Sequence, residues 1–324
     1  MHKKPPKKFK KTKHKAIQDS KSTNPIQKAI LATLKYRQIF DCSVSYYQIW
    51  NYLISDKPTD PRTFKTVLDD LAKAKKIICQ DGWYSIGKVD YTKAEKRREH
   101  AEKLMTQASS VVKYLKQIPW IEMAAVTGSV AASNAGEQSD IDMLVVTKPK
   151  RLWLTRLFLV STLKILGVYW NAKKPAGTIC PNILLTINNL TWDVKKQNLY
   201  TANEVSLLYP IFFRHNCYFD FLQKNDWVKN YLHNFNCHFK IADTSVASIR
   251  LPEQKPVTAS VAKQSHHNFV DLIELATMKL QMLYMKNKKT TEVVSEGFIH
   301  FNTHDSTPII LQKFQSRKYS LIGV

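Results

Sequence analysis

The stretch that most constrains this chain runs Ala124-Ala125-Val126-Thr127-Gly128-Ser129, then residues 130–139, then Asp140-Ile141-Asp142-Met143-Leu144-Val145-Val146. An apolar run ending in Gly-Ser reads as a strand entering a tight turn. An apolar run carrying Asp at i and i+2 reads as a second strand. Side chains alternate on a strand, so both carboxylates fall on one face, a few ångströms apart. Two like charges that close are costly unless a cation lies between them. A hard divalent ion such as Mg²⁺, taking one or two carboxylates plus phosphate oxygens, is the natural partner. Gly128 has no Cβ, so a phosphate can approach its backbone closely. Ser129 offers a hydroxyl and an N–H. The Ala- and Ser-rich stretch 129–135 reads as the start of a helix, whose N-terminus favours an anion.

This arrangement resembles the signature of the DNA polymerase β-like nucleotidyltransferases: an apolar strand, Gly-Ser, about ten residues, then Asp-x-Asp on a strand. Gly128, Ser129, Asp140 and Asp142 fall on it, and the resemblance covers roughly residues 105–200. It implies an α/β (α+β) domain with a mixed sheet and Mg²⁺- or Mn²⁺-dependent transfer of a nucleoside monophosphate from an NTP. It also implies that Asp140 and Asp142 are the catalytic metal ligands and that Gly128, Ser129 and Ser139 hold the nucleotide. Lys148, with Lys150 and Arg151, follows the strand closely, in a position to screen phosphate charge. Members of the family carry a third carboxylate on a later neighbouring strand. The counterpart here, Thr178 to Ile187, holds no Asp or Glu. Asn182 is the polar residue nearest that position. Asp193 follows, expected on the returning arm of a hairpin. Two readings therefore stay open: an active transferase whose acceptor is a protein, an RNA or a small molecule, and an impaired module that binds nucleotide or nucleic acid without turnover.

The formal net charge is +23 over 324 residues. Eight lysines between Lys3 and Lys15 precede the first acid, Asp19, and removing them still leaves +15. Such an excess implies polyanionic partners, DNA or RNA among them, unless the lysines are merely solvated. The five cysteines, Cys42, Cys79, Cys180, Cys217 and Cys237, stand singly without zinc-ligand spacing, and the Lys-rich start has no apolar core of a signal peptide. A cytoplasmic, reduced protein is expected. The apolar segment Leu152 to Trp170 is interrupted by Arg156 and Lys164, so it is expected to pack on the sheet rather than span a membrane.

The organisation expected from composition and periodicity has five parts. Residues 1–23 form a disordered basic tail. Residues 24–90 form a small domain of three helices and an Asp81-Gly82 hairpin, which resembles a winged helix. Its third helix would offer Arg62, Lys65 and Lys73 to nucleic acid, although Asp69 and Asp70 oppose that; a winged helix that meets a protein instead stays equally open. Residues 91–240 form the nucleotidyltransferase domain, with capping boxes at Thr92–Glu95 and Thr201–Glu204 and a helix ended by Pro210. Residues 241–258 form a linker. Residues 259–324 form a helical C-terminal region. Its first helix carries Phe269, Leu272, Ile273, Ala276, Leu280 and Leu283 on one apolar face. Trp227, Tyr231, Phe235 and Phe239 are expected in the core rather than stacked on bases. The oligomeric state is not legible in the sequence.

Overall fold

The computed structural model describes residues 24–236, 267–285, 293–295, 297–301 and 305–319. The expected basic tail, the linker and Phe239 lie outside the described residues.

The N-terminal unit follows from strong local signals. Helix α1 (Pro25–Gln38) starts at Asn24, whose side chain accepts from Ile26 N, with Pro25 at the first position. A two-residue strand β1 (Val44–Ser45) leads into α2 (Tyr46–Asn51), closed by a Ser45/Gln48 capping box. Helix α3 (Pro61–Lys73) is capped by Asp60. Strands β2 (Ile78–Gln80) and β3 (Trp83–Ser85) pair antiparallel through Asp81 and Gly82, both at positive φ as a tight hairpin requires. The small sheet has the order β1-β3-β2. Ile30, Leu34, Ile49, Phe64 and Leu68 fill the core beneath it.

Helix α4 (Tyr91–Ser110) starts two residues earlier than the Thr92 capping box suggests: Asp90 is its cap and accepts from Lys93 N. A short α5 (Val112–Leu115) leads into the central sheet. Its strands are β4 (Ile121–Val126), β5 (Ile141–Thr147), β6 (Ile179–Thr186) and β7 (Tyr209–Phe213), with β8 (Val293–Val294) and β9 (Phe298–His300) at one side. The order is β7-β4-β5-β6-β9-β8. Strands β4 and β5 are antiparallel, joined through the short α6 (Gly128–Ala131), while β5 and β6 are parallel, joined by the crossover helix α7 (Leu152–Ile165). This is the mixed α/β sheet expected of the sequence. Helices α8 (Leu199–Leu207) and α9 (Cys217–Lys224) cover one face. Asn198, not Thr201, caps α8, and Thr201 answers as the reciprocal partner. Pro210 ends no helix; it lies within β7, an edge strand, where a missing N–H is tolerated. Trp227, Tyr231 and Phe235 pack against the core on this face.

The N-terminal unit does not stand apart from the sheet. Tyr36, at the end of α1, is in the same buried cluster as Ala125, Leu144 and Ala202. Arg37 donates to Asn203 Oδ1 at 3.1 Å, and Asn134 donates to Phe40 O at 2.9 Å.

The C-terminal elements are α10 (His267–Met285), β8, β9 and α11 (Thr307–Tyr319). Helix α10 reverses the expectation from its apolar periodicity. Glu274, Thr277 and Gln281 are buried, while Phe269, Leu272, Leu280 and Leu283 are exposed. The reason is α7. Its first residues lack a side-chain cap of their own. Glu274 supplies one, accepting from Trp153 N and Leu154 N at 2.8 Å each. Arg151 pairs with Asp271 at 2.6 Å, and Gln281 donates to Trp153 O at 2.9 Å. Three polar anchors fix which side of α10 faces the protein. Among the described residues, no helix is long and apolar enough to cross a membrane.

Candidate active site

The site grows from the β4–β5 connection. Thr127 N donates to Asp142 O at 2.9 Å, locking the end of β4 to the start of β5. The chain then turns at Gly128, at φ +64°, a region that disfavours any residue with a Cβ. A Cβ there would stand 2.7 Å from Asp142 Oδ2. Gly128 is thus needed for both the turn and the closeness of the carboxylate. Helix α6 is a single turn, too short for a large dipole. Ser129 Oγ donates to Ser139 Oγ at 3.3 Å, closing the loop between the two halves of the motif. Ser139 O in turn accepts from Gly177 N at 3.0 Å, tying the loop to the start of β6.

Asp140 and Asp142 sit on one face, as the i, i+2 spacing requires. Burial raises the Asp140 pKa, opposed by hydrogen bonds including one from the Trp170 side chain. Asp142 is pushed up to about 7, first by burial, then by the charge of Asp140, then by that of Glu204. Among the described residues no cation pairs with either carboxylate, the electrostatic condition for holding a metal ion.

Strand β6 supplies the third wall. Its register places Cys180 opposite Asp142 and Pro181 opposite Met143, and then skips to Ile183 opposite Leu144. Asn182 is the extra residue, and the bulge re-aims its side chain. Asn182 Nδ2 donates to Asp142 Oδ1 at 2.8 Å. Its Oδ1 is shut off from solvent and, among the described residues, accepts no hydrogen bond, a cost of about 1–3 kcal/mol. Cys180 was missed by sequence reasoning, which treated the cysteines as isolated. One ligand atom from each of Asp140, Asp142 and Cys180 lies within 4.8 Å of the others. Burial pushes the Cys180 thiol up to about 12, and the two aspartates add to it.

These groups lie in a cavity of about 1760 Å³. Its walls include Tyr36 and Trp83 from the N-terminal unit, Tyr200 and Glu204 from α8, and His300 and Asp305 from the C-terminal elements. Glu204 was expected only as a capping-box residue, not at the site; its charge reaches Asp142, Tyr36 and Tyr200.

Other expected site residues are placed differently. Asp193 lines the cavity but is on no hairpin arm; it caps a short 3₁₀ turn, accepting from Lys195 N at 3.0 Å. Lys148 is not brought to the site. It lies at the far end of β5, six residues and about 20 Å from Asp142. Its Nζ is 3.8 Å from Glu122 Oε1. Lys150 and Arg151 are held by Asp271. Arg62, Lys65 and Lys73 are exposed on α3, where Lys65 pairs with Asp69 at 2.8 Å.

Residues 108–200, from the last turns of α4 to the start of α8, match the family model described as a nucleotidyltransferase domain. No curated protein and no solved structure matches the chain.

Proposed function

We propose that this chain, whose residues 108–200 match the nucleotidyltransferase family model, moves a nucleoside monophosphate from an NTP onto an acceptor bound in the same cavity. The observation that carries the reading is the juxtaposition of Asp140 and Asp142 with the Gly128–Ser129 turn on the cavity wall. A divalent cation, Mg²⁺ or Mn²⁺, fits the residues present. Among the described residues, no cation pairs with the two crowded carboxylates, and Asn182 Oδ1 beside them has no hydrogen-bond partner. Asp140 and Asp142 would hold it. When bound, it neutralises triphosphate charge and acts as a Lewis acid on the phosphoryl oxygens.

The chain's own groups orient the reactants. The bare Gly128 backbone admits a phosphate oxygen, and the Ser129 hydroxyl, which lines the cavity, turns from Ser139 Oγ to donate to the triphosphate. An acceptor oxygen attacks the α-phosphorus, the bond to the β-phosphate bridge breaks and pyrophosphate leaves. The acceptor proton passes to water. A site for one drug-sized ligand occupies roughly 300–1,000 Å³, so a cavity of about 1760 Å³ has room for nucleotide and acceptor together. The N-terminal unit, three helices and a hairpin, serves as a winged helix that meets DNA or RNA through Arg62, Lys65 and Lys73 on α3. The exposure of these residues supports this. The neighbouring Asp69 weakens it at Lys65.

Incubation with each of the four NTPs labelled at the α-phosphate, with Mg²⁺ or Mn²⁺ and a cell extract as acceptor source, tests the activity. Label transfer that disappears in Asp140→Asn and Asp142→Asn supports it. A second reading, nucleotide binding without turnover, is favoured by the lack of any Asp or Glu in β6. It predicts nucleotide binding sensitive to the same substitutions but no label transfer.

A further inference from the structure

We propose that Cys180 is the third metal ligand of this site, and that its sulfur tunes the site toward a borderline-soft divalent cation of the zinc and cobalt class in preference to Mg²⁺. The inference rests on the nucleotidyltransferase reading and deepens it by naming the class of cation.

The parallel pairing of β5 and β6 puts Cys180 directly across from Asp142, on the same side of the sheet. Among the described residues, Asp140, Asp142 and Cys180 are the group whose ligand atoms come together within 4.8 Å. Small side-chain rotations bring such atoms onto one ion with bonds of about 2.0–2.3 Å. No carboxylate of β6 competes for the place, because that strand has none. Asn182, two residues on, already spends its N–H on Asp142 and leaves its carbonyl oxygen unpartnered beside the site. Two oxygens and one sulfur make a donor set of mixed hardness. Carboxylate and water donors suit Mg²⁺, whereas thiolate favours softer ions, and a coordinated thiol gives up its proton. The S–H proton passes to solvent as the metal–sulfur bond forms. Cys180 also lines the cavity, so an ion can reach it.

Cadmium is the direct probe, because a cadmium–thiolate bond absorbs in the ultraviolet where cadmium–carboxylate bonds do not. Metal-free full-length protein is titrated with Cd²⁺ and, separately, with Mg²⁺, with binding followed by calorimetry. The expected result is a charge-transfer band that saturates at one ion per chain, disappears in Cys180→Ser, and persists in Cys79→Ser and Cys217→Ser. Cys180→Ser should weaken Cd²⁺ binding about tenfold or more while changing Mg²⁺ binding less than about twofold. Cys180→Asp should raise Mg²⁺ affinity about tenfold or more and remove the band. A band unchanged in Cys180→Ser overturns the inference. So does Cd²⁺ that binds through Asp142, as shown by its loss in Asp142→Asn, without any band. Both leave the proposed activity standing. Wild-type protein that binds none of these cations overturns the inference and the activity together.

Discussion

Replacing Gly128 by Ala separates a turn requirement from a site requirement. The substitution carries two costs. The first is conformational, because φ is +64° there; an L-residue in that region costs roughly 1–2 kcal/mol. The second is steric. The new Cβ would stand 2.7 Å from Asp142 Oδ2, and ordinary contact begins near 3.4 Å. The carboxylate must therefore retreat by roughly 0.7 Å, which strains its 2.8 Å bond from Asn182. A hydrogen bond to a charged group is worth about 1.5–3 kcal/mol, so the total loss is roughly 3–5 kcal/mol. A displacement near 1 Å at a reacting centre costs on the order of a hundredfold in rate. Gly82 is the internal control. Its φ is +77° and a Cβ there meets nothing within 4 Å. Gly82→Ala should lose only the conformational 1–2 kcal/mol and keep cation binding. Urea denaturation measures the stabilities, and calorimetric Mn²⁺ titration reads the site. Equal destabilisation by the two substitutions, with cation binding intact in Gly128→Ala, would refute the argument that Gly128 exists to seat Asp142.

The raised pKa of Asp142 gives a pH signature in metal-free protein. Folded, the carboxyl keeps its proton up to about pH 7; unfolded, it releases it near 3.8. The stability it contributes is complete below pH 3.8 and is lost as pH rises through about 7. The wild type should lose up to about 1.4 kcal/mol per pH unit across that window relative to Asp142→Asn, measured by urea denaturation in EDTA; parallel curves would contradict the assignment. At the α10–α7 contact, Glu274→Ala should cost about 2–3 kcal/mol by stripping the cap from Trp153 N and Leu154 N. Leu272→Ser, on the exposed apolar side, should stay within about 0.5 kcal/mol in the same assay; the reverse ranking would mean that the helix buries its other face. If α3 meets nucleic acid, Arg62→Glu with Lys73→Glu should lower both DNA affinity and the salt slope, the latter by about 0.9 per lost phosphate contact. An unchanged slope on a salt titration would remove α3 from the interface.

The parts legible in the sequence are those governed by near neighbours. Gly128 and the Asp140/Asp142 pair lie where the end of β4 meets the start of β5, two adjacent antiparallel strands, so spacing alone predicts their meeting. Asp81-Gly82 and Asp60-Pro61 announce the hairpin and α3 in the same local way. Cys180 was out of reach because its position opposite Asp142 depends on the register of a parallel pair, set by the crossover through α7. The bulge at Asn182 is likewise a property of paired strands. Lys148 shows the opposite error: it is near Asp142 in sequence but a whole strand length away in space. The inverted face of α10 was hidden because apolar periodicity says nothing of a neighbouring helix that lacks a cap. Glu274 meets that need and overrides the pattern. Strand β7 was hidden by Pro210, which reads as a helix stop and is equally at home in an edge strand.

The central claim is met most directly by diffraction from crystals soaked with Mn²⁺ and a non-hydrolysable NTP analogue, using the anomalous signal of manganese. The account predicts a peak about 2.0–2.4 Å from carboxylate oxygens of both Asp140 and Asp142, with triphosphate density over the Gly128–Ser129 turn. Manganese bound elsewhere, or nucleotide seated away from that turn, would contradict it.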